Sequence, residues 1–242
     1  MTVRYRTRGF VFKKTDHGEA DRVFSIFTKN FGRLEITGKA IRKITSKLRA
    51  GIDIFYLSEI EFIQGRNRKT LTDASPVKNL NGFTGDFQKI KLAHQVAELI
   101  DDFIKGQEKD KKTFELLENF FGKLYSGKKI NNYQLAFHYF FWNLASLQGY
   151  KLETKVCAAC RGKLNPNRLY FSAKEGGIIC NNCFSTRPDL GQKINADVVK
   201  ILRLILSGDW QTFSKLKVSL ASQNLLEATS QTALRHFLPV HS

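Results

Sequence analysis

All four cysteines of the chain fall in one stretch, CAACRGKLNPNRLYFSAKEGGIICNNC, as two Cys-x-x-Cys pairs with residues 161–179 between them. No other feature restricts the fold as strongly. Two residues between cysteines let one tight turn aim both sulfurs at a single ion, and a second pair completes a tetrahedron; this is the four-thiolate zinc pattern. The intervening segment has room for two short strands, RLYFS and GIIC, turning at Glu175-Gly176-Gly177. The expectation is one structural zinc ion on Cys157, Cys160, Cys180 and Cys183. A catalytic zinc keeps a position open for water or substrate, and four thiolates leave none. The metal would therefore act as a staple, contributing on the order of 10 kcal/mol to folding of its subdomain.

One pattern competes for the same cysteines. Zinc nucleobase deaminases combine His-x-Glu with Pro-Cys-x-x-Cys, and His17-Gly18-Glu19 has the first form. No proline precedes Cys157 or Cys180, however, and a second complete pair is present. Other enzymatic signatures fail in a similar way. A phosphate loop needs four residues between its glycines and then Lys-Ser or Lys-Thr, whereas five separate Gly32 from Gly38 and Ala40 follows Lys39. There is no G-x-S-x-G elbow and no H-E-x-x-H. Asp101-Asp102 reads as a solvated helix face, and His94 and His138 as packed or surface histidines. The chain is not expected to be an enzyme.

Around the cysteines the hydrophobic period changes twice. Up to about residue 80, FVFKK, RVFSIFT, RLEITGKAI, IDIFYLSEIEFI and KTLTDA are short, β-branched or aromatic, and punctuated by glycine. RVFSIFT is apolar on both faces, which marks it as interior. Five strands with no helix long enough for a crossover predict a small closed barrel or a sandwich. After Pro76 apolar residues recur at helical spacing in three runs: Ile90 to Ile104, Phe114 to Leu124 and Tyr133 to Leu147. Breaks at Gly106 and Ser126-Gly127 suit short turns between helices. A fourth helix follows the cysteines, with Asn195 as N-cap and Gly208 at its end, then a short one near 209–217 and a last one near 222–237. The predicted class is α+β: a five-stranded β unit over 1–80, a helical bundle over 81–150 and 188–242, and a four-cysteine zinc insert over 151–187. Twenty phenylalanines against one methionine predict a core of aromatic rings.

The charge points to the partner. The formal net charge is +17 and the pI about 9.8. Such a surplus calls for a polyanion, nucleic acid before an anionic membrane surface. The N-terminal residues carry frequent charges and no apolar stretch of signal-peptide length, and no run reaches the ~20 apolar residues of a membrane span. A cytoplasmic location follows as the expectation, where disulfides are rare. ITGKAIRKITSKLRAGI holds Lys39, Arg42, Lys43, Lys47 and Arg49 with no acidic residue, and Arg66, Arg68 and Lys69 cluster next. These are the candidate DNA-binding residues, expected to form a basic rim at one end of the barrel. Arg4, Arg6 and Arg8 alternate on one strand face that could extend it.

In the order of its parts the sequence resembles the bacterial RecO family of recombination and DNA-repair mediators. GFVFKKTDHGEADRVFSIFTKNFGRLEITGKAIRK is similar to the family's N-terminal signature, EIEFIQGRNRKTLTDA to its following strands, and FFWNLASLQGYKLETKVCAAC with GGIICNNC to its helix and knuckle junctions. Two departures stand out. Many members have Ala-Lys-Gly where this chain has Gly38-Lys39-Ala40, and the proline often found after the Gly-Tyr step is replaced at Lys151 or Leu152. The resemblance implies an OB-fold barrel over 1–80, a helical domain and a zinc element, together with binding of single- and double-stranded DNA, annealing of complementary strands, and action with RecR and single-strand binding protein to help RecA load in DNA repair at the nucleoid. Zinc ligands are not universal in the family, in keeping with a structural role. Two other readings of the same residues are an RNA-binding OB and zinc-knuckle module, and an interaction scaffold with an incidental basic face.

Overall fold

A computed structural model describes residues 3–77, 86–126 and 130–238. The chain divides into two compact units, 1–129 and 130–242. The expected boundary at 80–81 and Gly127 of the second helix break lie outside the described residues.

In the first unit five strands, β1 (Arg4–His17), β2 (Asp21–Thr28), β3 (Gly32–Gly38), β4 (Leu57–Gln64) and β5 (Lys69–Pro76), close into a barrel in the order β1-β2-β3-β5-β4. β3 and β5 run parallel and every other pair antiparallel. This is the five-stranded Greek-key arrangement of the OB-fold. Alternation along each strand sends Phe24 and Ile26, Leu34 and Ile36, Ile60 and Phe62 inward, where they meet Val11 and Leu71. The opposite face of β1 and β2 is also apolar, and it is not left in water. Helices α1 (Phe87–Phe103) and α2 (Lys111–Tyr125) belong to the same unit. Phe121 packs on Phe10 with ring centroids 4.1 Å apart, and Phe114 lies 6.3 Å from Phe27. Double-sided burial of RVFSIFT thus reflects a barrel wall with helices against its outer side. Both helices start on an aspartate cap: Asp86 accepts from the Lys89 N–H and Asp110 from the Thr113 N–H.

Residues 39–56 differ from the expectation. IDIFYL was expected to begin a strand, but β4 starts only at Leu57. Phe55 has φ +64°, incompatible with a continuous strand, and its N–H instead donates to the Val11 carbonyl at 2.8 Å. Ile41 and Ile52 turn into the barrel core with Leu48 packed on them, and a single 3-10 turn spans Lys47–Ala50. The cations of this loop face out, as does Ile44 at 92% exposure. At the turn into β3, Gly32 has φ +62°, and a Cβ there would lie 2.3 Å from the Glu108 carbonyl oxygen; only glycine fits.

The second unit contains α3 (Tyr133–Leu147), α5 (Ala196–Leu206), the one-turn α6 (Trp210–Phe213) and α7 (Leu220–Phe237). Between α3 and α5 lie β6 (Leu169–Ser172), β7 (Gly177–Cys180), α4 (Asn181–Thr186) and β8 (Gln192–Ile194). Asn195 caps α5 as expected, accepting from the Val198 N–H. Trp142 is fully buried and donates its indole N–H to Ser230 at 3.0 Å, tying α3 to α7. Nε2 of the buried His138 lies 3.2 Å from a Glu227 carboxylate oxygen on α7. That neighbour, together with Gln134 and Gln231, draws the Glu227 carboxyl down to about 2. His138 is thus a packed helix-contact residue. Among the described residues no helix is long and apolar enough to cross a membrane.

Candidate metal centre and nucleic-acid interface

The first Cys-x-x-Cys pair sits on a tight knuckle. The Arg161 N–H donates to the Cys157 carbonyl and the Cys157 N–H to the Gly162 carbonyl, both at 2.9 Å, with Arg161 at φ +62°. The second pair straddles the start of α4, with Cys180 at the N-cap. The β6–β7 hairpin brings the two together: Leu169 pairs with Cys180 and Ser172 with Gly177. A third strand, β8, pairs with β6 on its other side. Neither β8 nor α4 was expected, since each is too short to show a period.

The four sulfurs all lie within 4.8 Å of one another. Cys157 and Cys183 are 3.9 Å apart, and Cys160 and Cys180 are 3.8 Å apart. A tetrahedron with metal–sulfur bonds of about 2.3 Å has edges of about 3.8 Å, whereas a disulfide needs about 2.05 Å. The cluster therefore has the dimensions of a metal site. Its electrostatics agree. Burial opposes ionisation of Cys157, but the backbone N–H groups of Cys160, Cys180 and Ala159 outweigh it and bring that thiol down to about 6. Burial and then the three neighbouring sulfurs push Cys183 up to about 12. The pocket thus favours ionisation of Cys157 and opposes that of Cys183, and a bound cation would offset the repulsion between neighbouring thiolates. Four sulfurs on one tetrahedral ion would leave no coordination position open. His17, Gly18 and Glu19 sit at the β1–β2 turn of the other unit.

The barrel's cations sort by whether a carboxylate stands beside them. Arg4 pairs with Glu61 at 3.3 Å, Arg6 with Glu59 at 2.7 Å and Arg8 with Glu118 at 2.8 Å. This face was expected to extend the basic surface, and its glutamates neutralise it instead. Arg42 is likewise engaged, 3.5 Å from Asp16 and 3.2 Å from the Gly18 carbonyl. Asp16 also binds Arg22 at 2.7 Å, and that bond chiefly lowers its pKa. Lys39, Lys43, Lys47, Arg49, Arg66, Arg68 and Lys69 have no ion-pair partner among the described residues, and all but the half-buried Lys69 are exposed.

Lys39 to Arg49 lie on the β3–β4 loop and Arg66 to Lys69 at the β4–β5 turn. The end of β3 pairs with the start of β5, Ile36 beside Lys69 and Thr37 beside Thr70. A groove of about 550 Å³ lies over the outer face of β2 and β3. It runs from Arg68 and Lys69, past Arg33 and Glu35, to Val23 and Thr37, which pair beside the Gly38–Lys39 step. Lys105, just beyond α1, also lines it. Arg33 and Lys105 were not among the expected site residues. Strand alternation could have indicated Arg33, because Leu34 and Ile36 face inward. Nothing local could have placed Lys105. Arg33 is partly committed to α1, 2.6 Å from Asp101 and donating to the Ile104 carbonyl at 2.9 Å. The strand 2–3 face beside the β4–β5 loop is where OB-folds take up oligonucleotides.

Comparison with known proteins agrees with the geometry. Residues 1–80 match the family model described as recombination protein O N terminal, and residues 84–241 match that described as recombination protein O C terminal. The chain is also similar to proteins named DNA repair protein RecO. Those of Dehalococcoides mccartyi strains BAV1 and 195 are 29% and 30% identical, each over 97% of this chain and 90% of the relative. That of Roseiflexus sp. is 28% identical over 97% of this chain and 81% of the relative.

Proposed function

The chain belongs to the RecO family of DNA repair and recombination proteins, and on that premise we propose that it is a non-enzymatic mediator that binds single- and double-stranded DNA and anneals complementary strands. It would act with RecR and single-strand binding protein to help RecA load, and work in the cytoplasm at the nucleoid. The observation that carries this reading is the groove on β2 and β3, lined by Arg68 and Lys69, neither of which has an ion-pair partner among the described residues. Annealing must overcome repulsion between two polyanions. Cations without carboxylate partners can neutralise phosphates at no cost in broken ion pairs, and release condensed counterions as they do so. A basic groove on an OB-fold tracks a backbone without reading its sequence, which suits a protein that must act on any strand. Lys39, Lys43, Lys47, Arg49, Arg66, Arg68 and Lys69 are assigned to phosphate contacts. Arg42 is assigned mainly to holding the long loop on Asp16.

The four cysteines would hold zinc, the metal best suited to a redox-inert tetrahedral thiolate site. Its role would be to secure the insert. The second unit also carries a pocket of about 270 Å³ with an apolar floor including Leu164, Leu169 and Val199 and cations including Lys155 and Lys163. Apolar floor and cationic rim together favour an acidic peptide over a bare phosphate chain, and we assign it to the protein that coats the single strand.

The test is annealing of two complementary labelled oligonucleotides, naked or coated with single-strand binding protein from the same source. A mediator accelerates annealing of the coated strands, which a merely cationic protein does not. Lys155→Glu with Lys163→Glu should lose the coated reaction and keep the naked one. Acceleration confined to naked strands, with RNA bound as tightly as DNA, would favour the RNA-binding alternative.

A further inference from the structure

The two ends of the barrel are finished differently. At the end where β3 leaves, the long loop drives Ile41, Ile52 and Leu48 against the core. At the opposite end the connections are short, residues 29–31 and 65–68, and a cavity of about 360 Å³ opens between them. That volume lies in the ordinary range of small-ligand pockets, ~300–1,000 Å³.

Three aromatic rings form its wall. Tyr5 stacks on Phe62 with centroids 5.4 Å apart and planes 22° apart. Phe31 stands edge-on to both, at 5.7 Å from each. Phe62 is only 2% exposed and belongs to the core, whereas Tyr5 and Phe31 are half-buried and keep surface open to the cavity. Rings that only closed a barrel would be expected to bury that surface.

The surroundings indicate what could occupy the cavity. Gln64, Lys69 and Gln107 line both this cavity and the basic groove, so the two share an edge. A second cation, Lys109, stands at the aromatic cavity, and no carboxylate lines it. A chain whose phosphates follow Arg68 and Lys69 passes this edge. An aromatic wall gives a phosphate nothing, but it offers a planar, uncharged ring a stacking surface. Side-chain amides both donate and accept, so Gln64 and Gln107 could meet the edge of any base without selecting one.

We propose that this cavity is a base-stacking subsite in which Tyr5 and Phe31 take up an unpaired nucleobase from a DNA single strand lying in the adjoining groove. The inference rests on the reading of the groove as a DNA site. It adds a basis for strand preference: a duplex keeps its bases stacked and paired and has none to offer, so the subsite favours single strands where the cations alone do not.

The test compares binding of a short dT oligonucleotide with that of an abasic phosphodiester chain of equal length and charge, at one salt concentration. The wild-type protein should bind the abasic chain about tenfold more weakly, within the range of base–aromatic stacking. The Tyr5→Leu, Phe31→Leu double variant keeps apolar side chains against the core. With its unfolding midpoint checked, it should bind both chains at the weaker level and retain the wild-type dependence on salt. Equal wild-type affinity for the two chains would overturn the subsite while leaving the groove reading intact. Binding of neither chain would overturn the groove reading and the subsite with it.

Discussion

Ala40 has φ +50° where β3 gives way to the long basic loop, and its N–H donates to Asp21 at 2.8 Å. A left-handed conformation costs a residue with a Cβ roughly 1–2 kcal/mol, while glycine adds about 0.5–1 kcal/mol of unfolded-state entropy. The first effect is the larger. Ala40→Gly should therefore raise stability by about 0.5–1 kcal/mol, read as a higher denaturation midpoint with unchanged slope. A lower midpoint would mean that the unfolded-state entropy of glycine outweighs the strain. Arginines teach a related lesson at this scale. Arg4, Arg6 and Arg8 look as available as Arg66 and Arg68 in the sequence, yet Glu61, Glu59 and Glu118 occupy them. The chemistry of a cation here depends on its neighbour across the strand.

At the scale of elements, the cysteine insert connects to its unit through its sheet. β6 pairs with β7 on one side and with β8 on the other. Ile194, the last residue of β8, is buried and precedes the N-cap of α5. Beneath β7, a Cβ on Gly177 would lie 2.3 Å from the Glu153 carbonyl oxygen, so the segment before the first knuckle packs on the hairpin backbone. Loss of the metal should therefore reach α5. Cys180→Ser is expected to bind less than one metal ion per chain and to unfold several degrees lower, and a strong chelator should reproduce this in the wild-type protein. Metal content measured beside thermal unfolding checks it. Retention of the full midpoint without metal would end the structural role assigned to the cluster.

Across the whole molecule the net charge of +17 is what remains after 22 acidic residues offset 39 basic ones, and on the barrel the cations without carboxylate partners are the ones free to meet phosphates. With about five phosphates neutralised on a single strand, log K should fall against log salt with a slope of roughly −3 to −4. Lys43→Glu, Lys47→Glu and Arg68→Glu together draw from the β3–β4 loop and the β4–β5 turn. They should weaken binding to all sequences alike and flatten the slope by about 2, at ~0.7 per contact. Titration at several salt concentrations measures it, and an unchanged slope would move the interface off this face.

Much of this was readable in order along the chain. The spacing of Cys157, Cys160, Cys180 and Cys183, the alternation in β1 to β5, and the helical periods with the Asn195 cap are local patterns. They depend on bond geometry and on burying apolar side chains at a period of 2.0 or 3.6. The closure of the barrel, the packing of α1 and α2 on its outer wall, the division of cations into paired and unpaired, and the groove that places Arg68 and Lys69 beside Arg33 are relations between residues far apart in sequence. No local period encodes them. They arise when strands whose register is set by burial carry Glu59 and Glu61 to Arg6 and Arg4, and leave Arg68 and Lys69 with no carboxylate to meet.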